Sequence, residues 1–164
     1  MIPDLRRLRR PPAEPGFPAP RGRGEGPAEP GAVRAVIDVS GGRQHTTRRH
    51  SPLTVSTEHC GRTLVLVVAG DVDLHTAPAV RLALELALRR SPSRLVVDLS
   101  LVQFLNSVGL EVLLAAHHRA APRTDLRVVA ATRAVWRPLQ ITRLHEQLTI
   151  HASRADAIAA PARR

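Results

Sequence analysis

From residue 51 onward the apolar positions fall in an order that reads as strands alternating with helices. Leu53–Thr57 alternates weakly, and Thr63–Ala69 (TLVLVVA) is a continuous β-branched and aliphatic run bounded by Gly61 and Gly70, the pattern of a buried strand. Thr76 then stands at an N-cap position and Pro78 in a first turn. Val80, Ala83, Leu84, Ala87 and Leu88 recur at the spacing of one helical face, which runs to Arg89-Arg90. Pro92 breaks the chain. Arg94–Leu99 (RLVVDL) is a second apolar run of the kind covered on both faces. After Phe104-Leu105 and a turn at Asn106-Ser107, Val108–Ala121 places Leu110, Leu113, Leu114 and His117 on one helical face. Leu126–Ala131 predicts another strand, Ala134–Thr142 a short helix, Leu148–His151 an edge strand and Arg154–Ala160 a closing helix. This alternation predicts an α/β fold: a mostly parallel sheet of four to five strands with helices packed on it.

The first fifty residues read differently. They hold eight of the 14 Pro, seven of the 10 Gly and ten Arg against five acids, with few large apolar side chains to offset the entropy of ordering. Residues 1–50 are therefore expected to form a disordered Arg/Pro/Gly-rich tail and residues 51–164 the domain. Within the tail, Val33–Val39 could form a short strand or helix, ended by Gly41-Gly42.

Net charge is +10, yet all 24 basic residues are Arg and the chain has three aromatics, Phe17, Phe104 and Trp136. A base-stacking surface has nothing to be built from, so no direct nucleic-acid binding is expected. The longest apolar run, Leu64–Ala69, is far short of the roughly 18 residues that cross a bilayer, and Met1–Pro12 leads into no apolar signal region. A cytoplasmic protein without membrane attachment is the expectation.

Candidate chemistry is sparse. The single cysteine, Cys60, cannot pair internally, and His117-His118 point about 100° apart on a helix, so no metal site is expected. A hydrolase would use Ser107 with His75 and Asp71 or Asp73. The sequence around Ser107 (LNSVG) keeps only the second glycine of the Gly-x-Ser-x-Gly elbow, so no enzyme is expected.

Three segments in order, Leu66–Ala77 (LVVAGDVDLHTA), Leu95–Leu110 (LVVDLSLVQFLNSVGL) and Val129–Leu144 (VAATRAVWRPLQITRL), resemble the STAS domain of bacterial anti-sigma factor antagonists, over roughly residues 53 to 160. The resemblance implies a binding protein. Its unphosphorylated form would capture an anti-sigma factor, a serine kinase with a histidine-kinase-like ATPase fold, and so release a sigma factor. The acceptor serine of the family aligns with Ser107, a serine phosphatase would restore it, and ATP would be held by the kinase, leaving this chain without a cofactor. The acidic pair Asp71 and Asp73, with Asn106, Ser107, Val108, Gly109 and Leu110, would form the partner face. A phosphate at a helix N-terminus sits beside unpaired N–H groups and the positive end of the helix dipole.

Two positions depart from the family pattern. Asn106 replaces the usual Asp, keeping the turn-forming side chain and removing its charge, and Val108 replaces a hydroxyl residue, leaving Ser107 as the one acceptor in the loop. Ser107 taken alone also reads as a plain helix N-cap. The alternative function is a STAS scaffold or ligand-sensing module that is not phosphorylated.

Overall fold

The computed structural model describes residues 37–38 and 51–161. The expectation of a disordered tail lies outside the described residues, apart from Ile37–Asp38, a two-residue strand β1. Around it are β2 (Thr54–Cys60), β3 (Thr63–Val72), α1 (Ala77–Arg89), β4 (Arg94–Leu105), α2 (Ser107–Ala120), β5 (Asp125–Val129), α3 (Arg133–Ile141), a 3-10 turn at Leu144–Glu146, β6 (Thr149–His151) and α4 (Arg154–Ala159).

The strands lie in sequence order, β1-β2-β3-β4-β5-β6. The α/β class and the helix-covered sheet agree with the sequence, but the sheet is mixed. β2 and β3 are antiparallel, Cys60 facing Thr63 across a tight turn in which Gly61 takes φ +58°, and β1 is antiparallel to β2. Only where a helix carries the chain back, at β3-β4, β4-β5 and β5-β6, is the pairing parallel. Each helical crossover steps one strand in the same direction. With right-handed connections α1, α2 and α3 therefore share one face. Their buried residues, among them Val80, Leu84, Val112, Leu113, Val135 and Leu139, form one core with Leu64, Leu66, Leu95, Val97 and Val128. α4 covers the other face, Ala157 packing with Val65, Val96 and Val129.

β4 is longer than the apolar run that predicted it. Opposite β3 the register slips twice, Val67 facing Asp98 but Ala69 facing Leu101, and Gly70 facing Val102 but Asp71 facing Phe104. At the first bulge Asp98 Oδ1 accepts hydrogen bonds from Ser100 N (3.0 Å) and Ser100 Oγ (2.6 Å). The polar Asp98–Ser100 stretch breaks the alternation in sequence while the ladder continues in space. These bulges carry β3 and β4 to a common end at Val72 and Leu105, where the loops of interest emerge side by side. Among the described residues no helix is long and apolar enough to cross a membrane.

Candidate functional site

Two loops leave the sheet at the carboxyl ends of β3 and β4, the end where open α/β sheets place their sites. They are tied to each other by the Asn106 N–H, which donates to the Val72 carbonyl at 3.1 Å.

After β3 the chain runs through Asp73–Thr76. Asp73 Oδ1 accepts from the N–H groups of His75 (2.9 Å) and Thr76 (3.0 Å), and the Thr76 hydroxyl accepts in return from Asp73 N–H at 2.8 Å. This is a reciprocal capping box, with threonine in the place usually held by glutamate. Thr76, expected to cap α1, makes no capping bond of its own; Asp73 caps the turn leading into α1. Burial would raise the Asp73 pKa, but the hydrogen bonds from Thr76 and His75 outweigh it and hold the carboxyl below its usual range. Asp71, the penultimate residue of β3, is 6% exposed; its Oδ2 accepts from Ser51 N–H (3.2 Å) and its own N–H donates to the Ser51 carbonyl (3.1 Å). Ser51 Oγ also donates to Gln103 Oε1 at 2.9 Å. Residues 51–52 thus cross the ends of β3 and β4, so close that a Cβ on Gly70 would stand 2.2 Å from the Pro52 carbonyl oxygen; Gly70 itself takes φ +96°.

After β4 the chain turns directly into α2. Asn106, with extended backbone, is the N-cap: its Oδ1 accepts from Gly109 N–H at 3.1 Å, and its carbonyl accepts from Leu110 N–H at 3.1 Å. Ser107 is therefore not the cap but the first helical residue. It is exposed, and its hydroxyl has no hydrogen-bond partner among the described residues. The N–H groups of Ser107 and Val108 are left at the helix start, and the first turn holds no acid.

Not all seven residues singled out in the sequence reach the surface. Asn106, Val108 and Asp73 are half-buried and Ser107 is open, whereas Asp71, Gly109 and Leu110 are buried. A Cβ on Gly109 would meet Leu105 Cδ1 at 2.5 Å and Val72 Cγ1 at 2.8 Å, so this glycine lets α2 approach the ends of β3 and β4. Sequence reasoning missed one neighbour on the rim, Leu74, 64% exposed, and weighed the other, His75, also exposed, only as part of a hydrolase. The Asp73-x-x-Thr76 spacing was the available signal that these two residues lie in a capped, projecting turn.

Among the described residues no three metal-ligating side chains come together. The buried polar cluster lies elsewhere. Arg127, 1% exposed, donates to the carbonyls of Ala157 (2.9 Å), Ala160 (2.8 Å) and Pro161 (2.7 Å) and to Asp125 Oδ2 (2.7 Å). It fastens α4 to the sheet and is remote from the loops.

Residues 54–157 match the STAS domain family. Over 106 residues, 65% of this chain and 87% of the relative, the sequence is 32% identical to the anti-sigma-F factor antagonist RsfB of Mycobacterium tuberculosis. The fold is similar to the crystal structure of an anti-sigma factor antagonist from Mycobacterium paratuberculosis, with 36% identity, a TM-score of 0.64, and coverage of 66% of this chain and 92% of that one. A Thermotoga maritima structure described as a putative anti-sigma factor antagonist shares the fold at 16% identity and a TM-score of 0.56, over 62% and 89% of the two chains. The chain belongs to the STAS domain family of anti-sigma factor antagonists.

Proposed function

We propose that this chain works by partner switching in the cytoplasm: unphosphorylated, it binds a cognate anti-sigma factor with a histidine-kinase-like ATPase fold and frees a sigma factor, and phosphorylation of Ser107 by that partner ends the binding. The observation that carries this reading is the division of labour at α2. Asn106 does the capping, so the Ser107 hydroxyl is exposed and uncommitted on a helix start whose N–H groups can accept an anion.

The switch is electrostatic and acts at the interface. The helix dipole contributes only about 0.3–1 kcal/mol to holding a phosphate at an exposed site, too little to remodel the domain. Placing roughly −1.5 to −2 charges into a surface fitted to a neutral hydroxyl can cost about 3 kcal/mol, near a hundredfold in affinity. In this reading Ser107, Asn106, Val108 and Asp73 contact the partner together with Leu74 and His75. Asp71, Gly109 and Leu110 fix the two loops from beneath. A serine phosphatase resets the cycle.

The test is a pull-down from native lysate with wild type, Ser107→Ala and Ser107→Asp as baits, joined to intact-mass measurement of the native protein. Recovery of an ATPase-fold kinase by wild type and Ser107→Ala but not by Ser107→Asp, with a phosphorylated species in the native protein, supports the reading. Equal recovery of the same partners by all three baits defeats it and favours the STAS scaffold.

A further inference from the structure

A cleft of about 130 Å³ opens between α1 and α2. Leu84, Leu88, Val112 and Ala116 form its apolar wall, and Arg81, Glu85 and Arg119 stand on its rim. Arg119 is held by Glu85 at 2.5 Å, while Arg81 has no ion-pair partner among the described residues. α1 with its C-cap and α2 together carry four arginines, Arg81, Arg89, Arg90 and Arg119, against Glu85 and Glu111.

We propose that this cleft is a second docking surface, distinct from the Ser107 loop, for an acidic amphipathic helix of another protein. Such a helix places apolar anchors at i, i+3 or i+4 and i+7 into a groove, and the cleft has room for one or two aliphatic side chains. Its flanking carboxylates meet Arg81 directly and compete with Glu85 for Arg119. Charge decides among the occupants. The chain's own tail carries ten Arg against five acids, and a second copy presents the same arginine-rimmed cleft, so both are repelled where an acidic partner is attracted.

The experiment is a titration of the full-length, ¹⁵N-labelled protein followed by NMR. The probes are a synthetic amphipathic Leu/Glu helix, the same helix with Lys for every Glu, and a peptide of residues 1–20 of this chain. The Leu/Glu peptide should shift the amides of Arg81, Leu84, Leu88, Val112 and Ala116. Its dissociation constant should rise about tenfold with Arg81→Glu, and similarly with Ala115→Trp, which fills the cleft from an exposed position. The Leu/Lys peptide should gain affinity for Arg81→Glu, a reversal that a folding defect cannot imitate. Ser107→Asp should leave these values unchanged, which separates this surface from the phosphorylation switch. Shifts centred on Asn106-Ser107, stronger binding of the residue 1–20 peptide, loss of amide signals through self-association, or no shift at all would each overturn the proposal.

Discussion

The turn that leads into α1 and the turn that leads into α2 sit side by side on adjacent parallel strands, and they spend their polar groups in opposite ways. In Asp73–Thr76 the carboxylate and the hydroxyl are consumed by reciprocal bonds to backbone N–H groups. In Asn106–Ser107 one side chain does the capping and the next is left over. The first turn is built to hold a shape, and the second to present a group.

The contrast breaks most visibly at Ser107. Ser107→Asp is expected to weaken binding of the ATPase-fold partner by up to about a hundredfold in calorimetry while changing unfolding free energy by less than about 0.5 kcal/mol, because an exposed first-turn residue has little packing to lose. Gly109→Ala does the reverse. The added methyl meets Leu105 and Val72, so about 1–3 kcal/mol of stability should disappear in urea denaturation, despite alanine's better helix propensity. Asp73→Ala should cost about 1–2 kcal/mol by removing the cap. Combining it with Thr76→Val should cost less than the sum of the two single changes, since each removes one half of the same box.

Much of this was legible in the sequence because it rests on periodicity. Val80, Leu84 and Ala87 announced α1, Leu110 and Leu113 announced α2, and both helices start within a residue of the positions expected. What escaped depends on distance in space. The antiparallel β2-β3 pairing follows from a tight turn rather than from apolar pattern, and the second half of β4 was hidden by the Asp98–Ser100 bulge. Asp71 looked like a loop acid, and only the fold brings Ser51 across to satisfy it. Arg127 resembled any other surface arginine until α4 folded over it.

Acid titration sharpens the comparison further. Asp73 and Asp125 both have pKa values lowered on folding. For each, burial pushes upward and is outweighed, at Asp73 by hydrogen bonds from Thr76 and His75, at Asp125 by Arg127 and Arg94. A depressed folded pKa means that the unfolded chain binds protons first. The stabilisation is therefore complete above the unfolded value near 3.9 and is lost as pH falls through the folded one. Stability measured from about pH 5 to pH 2 should fall steeply in wild type and less steeply in Asp73→Asn and Asp125→Asn. Equal slopes would mean that these carboxylates are not the groups whose protonation opens the fold.

The smallest effect is the most specific. Asp and Asn are about equally good N-caps, so Asn106→Asp should keep the bond to Gly109 N–H and change stability by a few tenths of a kcal/mol, in the favourable direction given by the α2 dipole. Phosphorylation then separates the two proteins. A phosphate on Ser107 would lie within roughly 5 Å of the new carboxylate, and two such charges in a water-like medium repel by about 1 kcal/mol. The melting temperature should therefore drop more on phosphorylation in Asn106→Asp than in wild type, and the difference should shrink in high salt. If phosphorylation shifts both proteins equally at low salt, the residue 106 side chain does not sense the phosphate, and asparagine there serves the cap alone.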